Sequence, residues 1–318
     1  MNRRISVLAM ALLLVAVIPF IGAEPIHLAS ILSPGSISHR IFFELRLPRL
    51  LLTLIAGGAL AMLGGTYQIL FNNSLAEPYV LGVSSAVTLG IVLAEVVFKV
   101  PAYSYWGTGA GFAAALVVTI FLLIIGSSRL GESMDRIVLF GMGLNFVLSS
   151  ILFLVLSYYY QHMGGGSIRW LFGQIPWLSL KEASLIGLFS LPFVAGLFIL
   201  SRHLDALSLG DSVARTLGFH PTTSRVWLMA VTSLFVSLIV SFTGGIGFVG
   251  LVVPHAVRLL IRPANTRVLF IFSFLAGALF LALSDVISRA LLPPFEFPIG
   301  VITTIVGGPA FLFLLWRR

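Results

Sequence analysis

The feature that most constrains this chain is a series of ten apolar runs, each close to the length that a membrane-crossing helix requires. An α-helix needs about 20 residues to cross the hydrocarbon core of a bilayer. Runs such as 5–22 and 137–157 are apolar throughout, whereas strands of a transmembrane barrel alternate apolar and polar residues. The runs therefore predict helices. Their expected positions are 5–22, 47–71, 81–98, 107–126, 137–157, 184–200, 226–242, 248–262, 267–291 and 299–316.

Composition excludes the water-soluble classes. Charged residues make up 9% of the chain and apolar residues 58%, and the mean hydropathy is +1.08. A soluble domain has about 25% charged residues, so this chain lacks the polar surface of a soluble enzyme. The net charge of +8 comes from basic residues scattered between the runs, which argues against binding of nucleic acid. We predict an all-α polytopic membrane protein with about ten transmembrane helices.

The first run and the loop charges predict the topology. Arg3 and Arg4 precede an apolar run that ends at Ile21-Gly22-Ala23, a pattern that resembles a secretory signal. Ile21 fits a cleavage site poorly and the run is long enough to span, so we expect an uncleaved first helix. An even number of spans puts both termini on one side. That side receives 12 of the 19 Lys and Arg residues, which predicts that both termini are cytoplasmic.

Motifs for catalysis and for nucleotide hydrolysis are absent from the sequence. Without a Gly-x-x-x-x-Gly-Lys-Ser/Thr segment, any ATP would be hydrolysed by a partner. Gly245-x-Gly247-x-x-Gly250 matches a dinucleotide pattern, but it enters an apolar run instead of following a soluble strand. The six histidines show no ligand spacing and the chain has no cysteine. We expect no enzymatic activity, no metal site and no cofactor bound by this chain.

A long polar segment, 201–225, has the pattern of short amphipathic helices. Apolar residues recur at helical spacing, and glycines stand where helices end. A helix lying on lipid is the alternative, but it would carry more aromatic and basic residues, so we favour docking to another protein. The pattern assigns Leu207, Val213, Ala214 and Leu217 to one face, Asp211 and Arg215 to an ion pair, and Gly210 and Gly218 to helix ends.

Four segments resemble the FecCD-type permeases, the membrane subunits of ATP-driven importers for iron-siderophores, haem and cobalamin. The segments occur in the family's order and extend from Arg46 towards the end of the chain. One departure is Ser74, where the family usually has proline. The segments are Arg46-Leu47-Pro48-Arg49 with Ala56–Ala61, Asn73–Pro78 with Leu81–Ser85, Gly245–His255, and Phe297–Thr303 with Gly307–Pro309.

The resemblance implies the fold and the partners. It implies one permease domain over 1–318 with the type II importer fold, working as a homodimer. Two cytoplasmic ATPase subunits would bind ATP and Mg²⁺, and a periplasmic or lipid-anchored binding protein would deliver the substrate. The segment 201–225 would couple to the ATPase through Leu207, Gly210, Asp211, Ala214, Arg215 and Gly218.

Three arginines lie against run ends on the expected outer side, contrary to the preference of basic residues for the cytoplasm. The resemblance assigns Arg46, Arg49 and Arg289 to docking of the acidic lobes of the binding protein. Arg46 and Arg49 are three residues apart and would share a helix face. The alternative is an internal ion pair between Asp285 and Arg289, with the other two arginines reaching towards the interface.

The fifth run lines the translocation path in the resembled family, which makes Asn145 and Ser149 candidate path residues. An amide inside a helix bundle also serves helix packing, so that alternative stays open for Asn145. Two turns expected on the cytoplasmic side match the family's inner gate. The gate candidates are Asn73, Leu75, Ser133, Met134 and Asp135.

The expected function is that of a permease subunit in the bacterial cytoplasmic (inner) membrane. We expect an iron-siderophore as the substrate because iron chelates are the commonest cargo of the family. Cobalamin and haem are alternatives in the same importer class. An ion-coupled secondary transporter is a further alternative, but such proteins usually carry ionisable residues within the membrane as relays, and few occur here.

Overall fold

The structure is a computed structural model that describes residues 13–22, 24, 26, 28–33, 35–101, 104–127, 134–159, 172–292 and 295–316. These residues are almost entirely helical. A π-helix, Ile41–Arg46, leads directly into α3, and a 3₁₀ turn, Pro78–Leu81, precedes α4. The α-helices are α1 (Leu28–Ile31), α2 (Ile37–Arg40), α3 (Leu47–Leu70), α4 (Val83–Phe98), α5 (Tyr105–Ser127), α6 (Met134–Tyr159), α7 (Leu180–Ser208), α8 (Asp211–Thr216), α9 (Pro221–Thr243), α10 (Val249–Ile261), α11 (Thr266–Ala290) and α12 (Ile299–Trp316).

The expected all-α polytopic fold is confirmed. Nine of the ten predicted runs coincide with α3 to α7 and α9 to α12. Among the described residues, six helices are long and apolar enough to cross a membrane, and α4, α10 and α12 are shorter apolar helices. Residues 5–12 of the first run lie outside the described residues. The rest of the run is helical over 13–17 and then forms a 3₁₀ turn, Ile18–Phe20.

Local sequence explains where several helices begin. Ser179 caps α7, because its hydroxyl accepts a hydrogen bond from the Glu182 amide while the Glu182 carboxylate accepts one from the Ser179 amide. Asn265 caps α11 by accepting a bond from the Val268 amide at 3.0 Å. Pro221 begins α9 in the first turn, where its missing N–H removes no helical bond.

The helix α3 lies at the centre of the bundle and is the most buried of the six long apolar helices. It packs most extensively against α11. A Cβ on Gly57 would lie 2.3 Å from the carbonyl oxygen of Gly277, and one on Gly64 would lie 1.8 Å from that of Gly250 in α10. Backbones therefore touch directly at these positions. The helix α6 is the least buried of the six and presents Phe146 outwards.

Two long helices, α3 and α9, are each followed by an irregular segment and then a short helix. The two irregular segments, 71–82 and 244–248, meet inside the bundle. The Tyr79 hydroxyl donates to the Ile246 carbonyl at 2.7 Å and accepts from the Ile246 amide at 2.9 Å. The Glu77 carboxylate accepts from the Phe248 amide at 2.7 Å. These side chains satisfy backbone groups that no helix pairs, as an apolar surrounding requires.

The bundle has two ends, which we name by their contents. At the arginine end, α3 begins and α11 finishes, so that Arg49 meets Asp285. At the α8 end, α7 finishes and both α9 and α11 begin. There, Asp205 of α7 accepts a hydrogen bond from the Thr266 amide at 2.8 Å, which fixes the start of α11.

Candidate functional site

At the arginine end, Arg49 lies between two carboxylates from distant parts of the chain. Its Nε donates to Asp285 Oδ1 and its Nη1 to Glu296 Oε2, both at 2.9 Å. The Trp177 ring centre lies 5.5 Å from the guanidinium carbon, a cation–π arrangement. The side chain of Glu296 is 27% exposed, against 4% for Asp285. Glu296 is therefore the more accessible of the two acidic partners of Arg49.

Arg46 and Arg289 hold the end of the first apolar run and the residues just after it. Arg46 donates to the carbonyl of Pro19 at 3.0 Å and to that of Glu24. Arg289 donates to the Ile18 carbonyl at 3.2 Å. Carbonyl groups at the end of a helix lack helical partners, so both guanidinium groups satisfy them. The sequence contains no signal for these contacts because the acceptors are backbone atoms.

These contacts correct the expected geometry of the arginines. The three side chains are largely buried and do not form an exposed positive surface. Arg46 and Arg49 line one cavity with Arg289, but the first donates to the N-terminal segment and the second to α11. The expected internal pair is present, with Arg289 Nε 3.3 Å from Asp285 Oδ2. Docking of a binding protein at these residues stays a prediction.

At the α8 end, the short helix α8 is clamped between α7 and α9. Its first residue, Asp211, receives two hydrogen bonds from Arg225 of α9, at 2.6 and 2.9 Å. Ala214, a residue of α8, is fully buried. Gly210 and Gly218 flank the helix with φ angles of 94° and 85°, in the left-handed region that glycine tolerates. The bidentate pair fixes α8 relative to α9.

The segment 201–225 differs from its prediction in three respects. Helix α7 continues to Ser208, so the connection is shorter than the expected polar loop, and Gly210 separates α7 from α8. The expected pair of Asp211 with Arg215 is wrong, since Asp211 faces Arg225 on the neighbouring helix. The expected single apolar face is also split. Leu207 packs against the core and Ala214 is buried, whereas Val213 and Leu217 are exposed.

Near the middle of α6, Asn145 faces α4. Its Oδ1 accepts a hydrogen bond from the Ser85 hydroxyl, which lies 3.2 Å from the Ser149 hydroxyl. A Cβ on Gly82, the residue before α4, would lie 3.2 Å from the backbone nitrogen of Asn145. The structure thus brings Asn145 and Ser149 together and adds Ser85, which the sequence analysis did not single out. This contact fits the packing role of Asn145, while Ser149 stays exposed.

The gate candidates fall on two segments. The Asn73 side chain accepts a hydrogen bond from the Leu75 amide at 2.9 Å, so the turn forms without the family's proline at position 74. Leu75 is half exposed. Ser133 lies outside the described residues, and Met134 and Asp135 are described only as the helical start of α6.

A polar contact that the sequence did not predict joins α3 to α10. Arg258 donates to the Gln68 side chain and to the Gly65 carbonyl. The Gln68 amide in turn donates to the Leu251 carbonyl at 3.0 Å. The three groups link the α8 end of α3 to the short helix that follows the irregular segment 244–248. Helical spacing in the sequence gave no signal for this contact, because spacing along one helix does not identify the neighbouring helix.

Comparison with known proteins assigns the family. The chain matches the model of the FecCD transport family over residues 8–317. A Helicobacter pylori protein named "Probable iron chelatin transport system permease protein" is 35% identical over 280 residues, which are 87% of this chain and 82% of that protein. The vitamin B12 import system permease protein BtuC of Vibrio cholerae is 34% identical over 317 residues, which are 99% of this chain and 95% of that protein.

A solved structure gives the same answer for the fold. It is an inward-facing conformation of an ABC transporter assigned to the metal-chelate type, with a TM-score of 0.83 and 26% identity. The match covers 98% of this chain and 99% of that chain. The resemblance that the four sequence segments indicated is thereby confirmed. The chain belongs to the FecCD transport family and is a membrane-embedded permease subunit of an ABC transporter, not an enzyme.

Proposed function

We propose that the chain is the permease of an ATP-driven importer for a metal chelate. It works as a homodimer with two ATPase subunits and receives its substrate from a periplasmic or lipid-anchored binding protein. Relatives are named as permeases for an iron chelate and for vitamin B12, and the similar structure is of the metal-chelate type. The observation that carries the proposal is helix α8, because a chain without its own ATPase motif needs an element that receives mechanical work.

Helix α8 has the properties of such an element. It is held in place by its buried residue Ala214 and by the bidentate pair of Asp211 and Arg225. Around it, the apolar side chains of Leu209, Val213 and Leu217 are exposed. Exposed apolar side chains on a rigid support favour docking into a groove of another protein. Force on α8 would then pass through Arg225 into α9.

The orientation of the protein in the membrane follows from the distribution of its basic residues. Arg202, Arg215, Arg225, Arg258 and Arg262 all belong to the chain at or near the α8 end. Basic residues prefer the cytoplasmic side, so we assign the α8 end to the cytoplasm and the arginine end to the external side. Both termini are then cytoplasmic, and the protein lies in the bacterial cytoplasmic (inner) membrane.

The translocation path of the substrate runs along α6, the least buried of the long helices. In a homodimer, two copies of α6 would face each other, with Ser149 exposing an uncharged hydroxyl close to the part-buried Asn145. A path with few charges suits a bulky chelate that must pass without tight capture. The turn at Asn73 and Leu75, with the start of α6 from Ser133 to Asp135, would close the path on the cytoplasmic side.

We propose an iron-siderophore as the substrate. The H. pylori relative is named for an iron chelate, in agreement with this proposal. Cobalamin is a second candidate because the V. cholerae relative is named for vitamin B12 and aligns over 99% of this chain. Substrate choice in such a system would depend mainly on the binding protein.

The test is purification of the complex from native membranes in mild detergent, followed by mass spectrometry. We expect a P-loop ATPase in a 1:1 ratio with this chain. A matched pair of variants makes the test specific: Leu217→Glu, which places a charge at the exposed residue directly after α8, and Leu260→Glu, at an exposed apolar position on α10. The first should lose the ATPase and the second should retain it. Isolation of the chain alone, with uptake that follows an ion gradient, would favour a secondary transporter.

A further inference from the structure

We infer that Arg258, acting through Gln68, sets the position of the gate turn, residues 73–75, which in the proposed function closes the path on the cytoplasmic side. Both are positioning residues, and helix α10 carries the turn. This role rests on the proposed import function, because only a transport cycle requires the turn to move. It deepens that function by naming the helix whose position decides whether the path is closed.

Gln68 connects the gate turn to α10, using its backbone for one contact and its side chain for the others. Its backbone carbonyl accepts a hydrogen bond from the Asn73 amide at 3.0 Å. Its side-chain amide donates to the Leu251 carbonyl of α10 at 3.0 Å, and its side-chain oxygen accepts from Arg258, also in α10. The side chain is buried, where a lost hydrogen bond is costly. A shift of α10 would therefore pull on the residue that holds the turn.

The far end of the same irregular segment, 71–82, is attached to the chain just before α10. Tyr79 exchanges two hydrogen bonds with Ile246, at 2.7 and 2.9 Å. The Glu77 carboxylate accepts one from the Phe248 amide at 2.7 Å. The gate turn thus lies between two attachments, and both lead to α10 or to the residues that precede it. Because both attachments move with α10, the turn follows that helix.

Arg258 joins this network to the α8 end of the bundle. It donates to the Gln68 side chain and, at 3.3 Å, to the Gly65 carbonyl. It also lines a cavity of about 410 Å³ with Asp205 and Ser208, which lie in the last turn of α7, just before α8. A guanidinium has five donors in one plane, so it can hold Gln68 and face the cavity at once. Movement of α7 and α8 would therefore reach Arg258 before it reached the gate turn.

The chemistry of these contacts suits a part that moves. Within the described residues, Arg258 donates to an amide oxygen and a backbone carbonyl, whereas Arg49 and Arg225 face carboxylates. A bond from a guanidinium to a neutral oxygen is strong and directional. Lengthening it separates no pair of opposite charges inside the bundle, which would be far more costly. The contact between Arg258 and Gln68 can therefore transmit a shift and form again in each cycle.

The sequence permits a clean reporter of the turn. The chain contains no cysteine, so Leu75→Cys creates a single labelling site, at a position that is 50% exposed. Every variant carries this reporter. The test variants are Arg258→Leu, Gln68→Leu and the combination of both. The control is Arg267→Leu, because Arg267 lies at the same end of the bundle but donates to Ser201 of α7, at 3.1 Å.

The first measurement is the motion of a nitroxide label on the reporter, in the full-length chain in nanodiscs without nucleotide. We expect the rotational correlation time to fall about twofold or more in Arg258→Leu and in Gln68→Leu, because the turn loses its attachment to α10. The combined variant should match Gln68→Leu, since Arg258 acts through that residue. Arg267→Leu should match the starting chain.

The second measurement uses the complex with its co-purified ATPase. It compares the rate of maleimide labelling at the reporter without nucleotide and with a non-hydrolysable ATP analogue. We expect the two rates to differ about fivefold or more in the starting chain and in Arg267→Leu, and by less than about twofold in Arg258→Leu. A purely structural role of Arg258 would lower the midpoint of thermal unfolding and leave this ratio unchanged.

Three results would overturn the inference. Unchanged label motion in Arg258→Leu would mean that α10 does not hold the turn. Additive effects in the combined variant would mean that Arg258 does not act through Gln68. A nucleotide-dependent ratio that survives in Arg258→Leu would mean that the turn moves without α10. Purification without an ATPase would instead count against the proposed function, and the label motion in nanodiscs would still decide whether Arg258 holds the turn.

Discussion

At the scale of single residues, the bundle depends on glycines whose neighbours are backbone atoms. Gly57 meets Gly277 across α3 and α11, and Gly64 meets Gly250 across α3 and α10. Without side chains, the helices approach closely enough for dispersion contacts between their backbones, which replace the hydrophobic effect inside a bilayer. The sequence motifs include Gly57 and Gly250 but not Gly64 or Gly277. Their partners were not predictable, because helical spacing does not identify the neighbouring helix.

A substitution at Gly64 tests this packing. The Gly64→Val variant would place a Cβ 1.8 Å from the Gly250 carbonyl oxygen, so α3 and α10 would have to separate. We expect the midpoint of thermal unfolding in detergent to fall by roughly 5 °C or more. The control is Gly109→Val in α5, where no atom lies within 4 Å of the added Cβ. Equal effects of the two substitutions would contradict the packing argument.

At the scale of elements, the ion pairs depend on where each helix begins. The sequence predicted that Asp211 pairs with Arg215, four residues further along one helix. Because α8 begins at Asp211, that residue faces the second turn of α9, where Arg225 is available. Arg215 instead lines a cavity with Phe219 and His220. The polar residues Ser201, Arg202 and His203 were read as a loop, but they belong to the last turns of α7.

A charge exchange tests the role of the pair of Asp211 and Arg225. Each single variant, Asp211→Arg or Arg225→Asp, would place like charges together and release α8 from α9. We expect the number of substrate molecules transported per ATP to fall about fivefold or more in each. The double variant should recover at least half of the original ratio. Measurements on the reconstituted complex decide the matter, and a double variant no better than either single variant would refute the coupling role.

At the scale of the whole molecule, composition and hydropathy were sufficient for the class and for nine of the helices. The interior of the bundle was not predictable in the same way. The contact of Tyr79 with Ile246 joins residues 167 positions apart, and the contact of Arg49 with Glu296 joins residues 247 apart. Periodicity reports the environment of a residue along its own helix, so contacts between distant irregular segments leave no pattern in the sequence.

Some residues of the candidate site could be found from the sequence, and others only from the structure. The resemblance singled out Arg49 through one of its motifs and Asn145 through the position of the fifth run, and their functional roles stay predictions. Glu296 and Trp177 carried no signal, since they lie in irregular stretches and contact Arg49 from positions far along the chain. The arrangement of the arginine cluster therefore had to come from the structure.

The central claim is that this permease moves its substrate with energy from a partner ATPase. The most direct measurement is uptake of a radiolabelled ferric siderophore into proteoliposomes that contain the co-purified complex and its binding protein. We predict uptake that requires hydrolysable ATP on the α8 side, stops with a non-hydrolysable analogue, and continues when ionophores collapse ion gradients. Uptake that proceeds without ATP and disappears with the ionophores would contradict the account.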